Sequence, residues 1–217
     1  MSVSFTEIYN QALSRLDDPI LLKTYKENSQ EFYRVMYWRL RAAIADFTIP
    51  ESTVYILQDY TEPVFYSESI EAEENQTTFE LSDDEIILDD ALILNVSVDG
   101  LSADEYSITD NKIVFDDAVD EGGEVSIVYY KDGMFNGELS RTEQEILSLF
   151  VVKAWAEKER NFLLDIRRLI SDKDFKLISE ANSLREKNNW YTAIREEAEN
   201  KMKFFSWKDA FSDRKKK

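Results

Sequence analysis

The 217 residues carry 44 acidic and 26 basic side chains, no Cys and no His, and 43% of them are apolar. That is a globular composition, long enough for one ample core or two small domains. The missing Cys and His exclude disulfides, thiolate nucleophiles, the usual zinc sites and Ser-His or Cys-His catalysis.

Charge is unevenly placed. Residues 51–135 hold 23 acidic and 2 basic side chains, a net of -21, while the remainder has 21 acidic and 24 basic, a net of +3. The acidity belongs to one segment, and such a segment repels nucleic acid. It reads as a solvated face, with steering toward a basic partner or divalent-ion binding as the sharper alternatives. No apolar run approaches the roughly 18–20 residues of a spanning helix. Met1–Tyr9 has no basic region ahead of an apolar one. The expectation is a soluble product made in the cytoplasm, with no signal peptide and no membrane contact.

Ser4 is placed to cap a helix from Phe5, with Glu7 at the capping-box position. Phe5, Ile8, Tyr9, Ala12, Leu13 and Leu16 recur at helical spacing, and Asp17-Asp18-Pro19 ends the run. A second helix is predicted over 28–47, with Arg34, Arg39 and Arg41 among its apolar positions. Beyond Ile49-Pro50 the period changes, and 53–66 reads as extended and aromatic-rich. Strand signals follow at Asn75–Leu81, at 86–88 and at Leu92, Leu94, Val96 and Val98, where Asp99-Gly100 supplies a turn. Tyr106–Phe115 reads as a hairpin about Asp110-Asn111, and Val125–Tyr130 as a further strand.

After Gly137 the helical period returns. Ser140 and Glu143 form a second capping box ahead of Ile146, Leu147, Phe150, Val151, Ala154 and Trp155. A break is expected near Arg160–Asp165, and Ser171–Asp174 resembles a cap before a last helix reaching Phe205, about 48 Å long. A helix of that length outruns a small core and needs a partner. The fold class is therefore α+β: a discontinuous helical bundle domain (1–50 and 136–217) interrupted by an inserted acidic antiparallel β domain (51–135), a small sandwich or barrel.

Chemistry finds little purchase. Asp83-Asp84, Asp89-Asp90 and Asp116-Asp117 are paired acids, but nothing selects two of them for one cleft, and they fail EF-hand spacing. No enzyme activity, cofactor or metal is expected. Arg160, Arg167, Arg168, Lys173, Lys176, Arg185 and Lys187 give the late helices a basic cast that Glu143, Glu145, Glu157 and Glu159 dilute. Sequence-specific nucleic-acid recognition would need a more concentrated face.

The stretch Leu139-Ser140, Glu143, Glu145-Ile146-Leu147, Trp155, Leu163-Leu164, Leu169–Phe175, Ser179, Ala181-Asn182 and Leu184-Arg185-Glu186 resembles head-tail connector, or adaptor, proteins of tailed bacteriophage necks. Its specific part is Ser-x-Lys-Asp-Phe followed by Ser-x-Ala-Asn-x-Leu. With the opening helices, the resemblance covers roughly half the chain. It implies a helical virion protein forming a homo-oligomeric ring of about twelve copies beneath the portal. Such a ring extends the DNA channel without specific recognition and offers a surface to the tail or a second neck protein. The resemblance further implies that Lys173, Asp174, Phe175 and Asn182 serve subunit packing. The acidic insert is the departure, and it is free to face capsid, tail or fibre.

The candidate subunit or partner interface comprises Trp155, Lys173, Asp174, Phe175, Asn182, Arg185, Trp190 and Trp207. For Asp174 and Asn182 the plainer reading is cap and surface, and for the tryptophans it is core. The alternative function is a β-domain module binding a carbohydrate or other ligand on a helical oligomerising base. Its candidate aromatics are Tyr55, Tyr60, Phe65 and Tyr66.

Overall fold

A computed structural model describes residues 2–16, 18–81, 92–103, 105–110, 112–169 and 178–214, with backbone alone at 20, 22, 92, 93, 163–169, 178–183 and 211–214. The fold is mixed α+β, with helices toward both ends of the chain and antiparallel sheets between them.

The caps behave as local chemistry dictates. Strand β1 (Val3–Ser4) leads into α1 (Phe5–Leu13), and Ser4 Oγ accepts from Glu7 N at 3.2 Å. Helix α3 (Ser29–Asp46) starts on Asn28, whose Oδ1 accepts from Glu31 N at 3.1 Å. Between them lies α2 (Pro19–Glu27), which the sequence reading did not assign. Pro19 opens it because its missing N–H and fixed φ suit a first helical position, and Asp18 Oδ1 accepts from Leu21 N at 3.2 Å.

A second correction concerns 53–66. Residues Glu51–Gln58 form helix α4, and extended structure begins only at β2 (Tyr60–Thr61). The aromatic and β-branched content argued for strand. Burial overrides it: Thr53 and Leu57, four apart, face the helical core together. The remaining strands are β3 (Val64–Glu71), β4 (Thr78–Glu80), β5 (Leu92–Val98), β6 (Leu101–Ser102), β7 (Tyr106–Thr109), β8 (Lys112–Phe115), β9 (Glu124–Lys131) and β10 (Met134–Phe135). Residues 86–88 lie outside those described. Helix α5 (Arg141–Leu169) runs without the break expected at Arg160–Asp165, and α6 spans Ile178–Arg214.

Three antiparallel sheets form, in the orders β1-β10-β2, β3-β9-β5-β6 and β4-β8-β7. Between the second and third lies one apolar cluster, holding Phe79, Val96, Ile113, Phe115, Val125, Ile127 and Tyr129. The larger cluster belongs to the helices: Phe5, Ile8, Met36, Leu40, Leu57, Ile146, Phe150 and Trp155 among others. Strand β9 is the wall they share. Its period of two sends Val125, Ile127 and Tyr129 into the first cluster and Tyr130 into the second. Strand β5 would have alternated cleanly through Leu92, Leu94, Val96 and Val98. A bulge between Ile93 and Asn95 intervenes, and Leu94 packs against the helical cluster while Val96 faces the other.

At this wall the Tyr33 ring stacks on Tyr130 at 4.4 Å, and Phe65 meets Tyr130 at 4.9 Å. Tyr130 Oη donates to Asp132 Oδ1 at 2.7 Å, while Asp132 Oδ2 accepts from Thr6 N at 2.9 Å. One carboxylate thus ties the β9 turn to the first turn of α1. Gly133 completes the approach, since a Cβ there would overlap the Phe5 ring and the Thr61 carbonyl.

Burial pushes the Tyr33 and Tyr37 phenols up to about 12 and raises Tyr9 and Tyr130 further still. A phenol whose folded pKa is raised adds stability that is fully present below its unfolded value near 10 and is lost as pH rises through the folded value. Urea stability should therefore decline as pH rises from 10 through about 12, and phenolate absorbance should show Tyr33 and Tyr37 ionising near 12 while Tyr9 and Tyr130 ionise only as the fold is lost.

Helix α4 is held to α5 through a buried carboxylate. Glu143 accepts the Thr53 hydroxyl and, at 2.7 Å, the Ser140 N–H, while Ser140 Oγ accepts from Glu143 N at 3.3 Å. This is the capping box expected from sequence, extended by one partner from another helix. Ser140→Ala should cost about 1 kcal/mol. Glu143→Ala, which strands both a hydroxyl and an N–H, should cost about 1–3 kcal/mol in equilibrium urea unfolding. A loss within error of zero for Glu143→Ala would show that the contact between α4 and α5 is carried by Leu57 and its apolar neighbours alone.

Candidate assembly interface

The sequence candidates separate into three groups. Trp155 belongs to the core at 7% exposure, and its Nε1 donates to Asp18 Oδ2 at 3.0 Å. Arg39 and Lys158 lie over its ring at 5.9 and 5.8 Å. Trp190 is half-buried against the same cluster. The two indoles line a cleft of about 570 Å3 with Arg15, Asp18, Glu159 and Lys187. Its charges are internally matched, with Lys187 Nζ at 2.8 Å from Glu159 Oε2. Arg185 is exposed on α6. Asn182 lies on the same helix, placed by its backbone alone. Lys173, Asp174 and Phe175 lie outside the described residues.

Trp207 is the candidate at the surface, 71% exposed. It does not stand alone. Phe204, one turn earlier, is 72% exposed, and Ile49 from the loop before α4 lies beside both. Sequence reasoning passed over Phe204, yet the signal was present. The buried stripe of α6 runs through Trp190, Tyr191, Ile194, Ala198, Met202 and Phe205. Phe204 and Trp207, three apart, fall on the neighbouring face.

Lysines border this patch. Lys203 is largely exposed, its Nζ 3.9 Å from Glu199, and Lys208 is exposed. Lys201 is committed inward, bonding Glu145 at 2.6 Å, where Arg15 also reaches the carboxylate at 3.0 Å. The Lys201 hydrogen bond, with the charges of Lys201 and Arg15, holds the Glu145 carboxyl below its usual range. Along the flank runs a groove of about 590 Å3 lined by Glu145, Lys201, Phe204, Phe205, Lys208 and Asp209, so acids and lysines alternate along it. The last eighteen residues, 200–217, carry seven basic and two acidic side chains.

The β region presents the opposite chemistry. Its turns converge at one edge, where Ala72 N bonds Gly123 O, Gly122 N bonds Ala72 O and Asp99 N bonds Glu124 O, each at 2.9 Å. Glu71, Glu73, Glu74, Asp120, Glu121 and Glu124 are exposed around that tip. Asp99-Gly100 turns there with both φ angles positive, at 51° and 78°, as a two-residue hairpin loop requires. Leu101 follows on edge strand β6 at 76% exposure. The aromatics offered for a ligand-binding β face are mostly packed. Tyr60 meets Phe5 and Phe135, Phe65 meets Tyr130, and Tyr66 stacks on Tyr129. Tyr55 is exposed, but on α4.

Among the described residues no three Asp or Glu side chains gather as a metal-ion site, and no helix is long and apolar enough to cross a membrane. Asp116-Asp117 is exposed, and Asp83-Asp84 and Asp89-Asp90 lie outside the described residues. No protein-family model matches the chain, and no curated protein matches it.

Trp155 and Trp207 should respond oppositely to truncation. Trp155→Ala should cost about 3–5 kcal/mol through the cavity it leaves, and Trp207→Ala should stay within about 0.5 kcal/mol of the parent. Urea denaturation followed by far-UV circular dichroism reads both.

Proposed function

We propose that this chain is a structural subunit of a tailed-phage neck, forming a homo-oligomeric ring that joins the portal to the tail and continues the DNA channel. The observation that carries this reading is helix α6. At 37 residues it spans about 55 Å. Among the described side chains, the apolar stripe that seats it in the core runs from Trp190 to Phe205, and Phe204 and Trp207 beside its end are exposed. A monomeric protein has little reason to expose Phe204 and Trp207 side by side, whereas assembly interfaces concentrate such anchors.

The resemblance of 139–186 to neck adaptors supplies the setting. Charge supports the orientation. A surface of net -21 is repelled by DNA phosphates, so the β region belongs on the outside of a ring, toward capsid, tail or fibre. The helical region, close to neutral, suits a wall past which DNA moves without being held. Ring closure joins two different faces of identical subunits.

The mass of the assemblies, measured by light scattering on the purified chain alone and with the portal protein of the same genome, tests the reading. A discrete multimer, or a complex at portal stoichiometry, is expected. A strict monomer that leaves the portal unbound at micromolar concentration would overturn it.

A further inference from the structure

Strand β3 forms the outer edge of the sheet β3-β9-β5-β6 and pairs on one side only. At eight residues, about 27 Å, it is the longest edge strand among the described residues. The alternation of an antiparallel ladder fixes which backbone groups face outward. Ala72 N donates to Gly123 O and Gly122 N donates to Ala72 O, so the even-numbered residues of β3 turn toward β9. Phe65, Ser67, Ser69 and Glu71 therefore direct their N–H and C=O groups away from the sheet. Among the described residues no hydrogen bond reaches these groups, and Ser67, Ser69 and Glu71 are exposed. The register runs unbroken from Val64 opposite Lys131 to Glu71 opposite Glu124, and no Pro, Lys or bulge blunts the edge. Tyr66 and Ile70 pack on the β cluster but stay half-buried, so a further strand beside β3 would cover more of both.

We infer that this edge accepts an extended basic segment of another protein as an added antiparallel strand, held by main-chain hydrogen bonds. Charge decides against a second copy of β3. Matching all four outward residues of two copies, Phe65 with Glu71 and Ser67 with Ser69, would set their Glu68 side chains directly opposite each other, which destabilises a sheet. Glu68 and Glu71 are the only charges on the strand. Lys131 sits opposite Val64 and Arg34 lies over the Phe65 ring, so these cations stand at its first residues. Lys112, the other basic residue of 51–135, pairs with Glu80. The Glu68–Glu71 half is continued by exposed Glu73, Glu74 and Glu124 and meets a partner with one sign of charge. It admits lysines opposite Glu68 and Glu71 and repels carboxylates there. Apolar side chains opposite Tyr66 and Ile70 would extend the β cluster. The inference goes beyond the ring reading and holds for a monomer as well.

The peptide Lys-Val-Thr-Lys-Thr-Val-Val is written to run antiparallel from Glu71 to Phe65, with its lysines opposite Glu71 and Glu68. Titrated into the full chain, it should bind and should slow amide hydrogen exchange at Phe65, Ser67, Ser69 and Glu71. Ser67→Pro removes one outward N–H without touching a bond to β9, and should weaken binding roughly tenfold or more. Ser67→Ala keeps that N–H and should bind like the parent. Replacing both lysines of the peptide by glutamate leaves the protein untouched, and should weaken binding roughly tenfold, by less in high salt. Absence of binding overturns the inference, and so does binding that leaves the four amides unprotected. A glutamate peptide that binds as tightly as the lysine peptide overturns the basic partner. Self-association of the parent that Ser67→Pro abolishes would seat a second copy on the edge and overturn it too. A ring or portal complex that fails to form changes none of these readouts, so the two readings fail separately.

Discussion

Strand β9 has to serve two cores at once, and much of the structure depends on how it does so. Val125, Ile127 and Tyr129 fill the space between two sheets, while Tyr130 faces α1 and α3. A register slip of one residue would exchange these sets and place three side chains of the β cluster against helices shaped for a tyrosine. The Tyr130–Asp132–Thr6 hydrogen bonds pin the register, since the carboxylate spans the strand end and the first turn of α1. The bulge in β5 follows from the same demand. It lets Leu94 join the helical side without sacrificing Val96 on the other.

With that wall fixed, the helices have one apolar surface to cover and little freedom in covering it. Helix α5 lies centrally, touching α1, α3 and α6. Helix α4 is secured at the start of α5 by Glu143, whose carboxylate serves both its own helix cap and Thr53. Helix α6 then lays Trp190, Ile194, Ala198, Met202 and Phe205 along the bundle, and this stripe uses up its core-facing positions. Phe204 and Trp207 fall off the stripe. Their exposure follows from helical geometry once Met202 and Phe205 are seated, and so do the positions of the lysines beside them.

Much of this was legible in the sequence because it is local. The caps at Ser4 and Ser140 needed only a hydrogen-bonding side chain next to a periodic apolar run. The hairpins needed Asp99-Gly100 and an aspartate at 110 able to adopt positive φ. What escaped depends on partners distant in sequence. Residues 53–58 have strand-like composition and form helix because Thr53 and Leu57 share a buried face, with Thr53 meeting Glu143 ninety residues away. Pro19 was legible as punctuation, yet its sign was ambiguous, since proline both follows a helix and begins one. The site was half legible. The length of α6 and the oddity of Trp207 are sequence facts, whereas the demotion of Trp155 to the core required Asp18 to arrive at its indole N–H. Phe204 needed the stripe to be drawn first.

The segregation of charge follows the division of the fold. A chain with 44 acids and 26 bases could spread them evenly and gain solubility at no cost to its cores. Here the acids crowd onto the β region and the bases gather toward the end of α6, so each copy is electrically polar. Within one copy that arrangement costs self-repulsion at the tip, where Glu71, Glu73 and Glu74 lie close to Glu121 and Glu124 with no base among them. All of these carboxylates are exposed, so water and counterions screen the repulsion. The tip tolerates its charge because the core beneath it stays apolar: Val125 and Ile127 are buried directly behind exposed Glu124, so β9 buries no carboxylate.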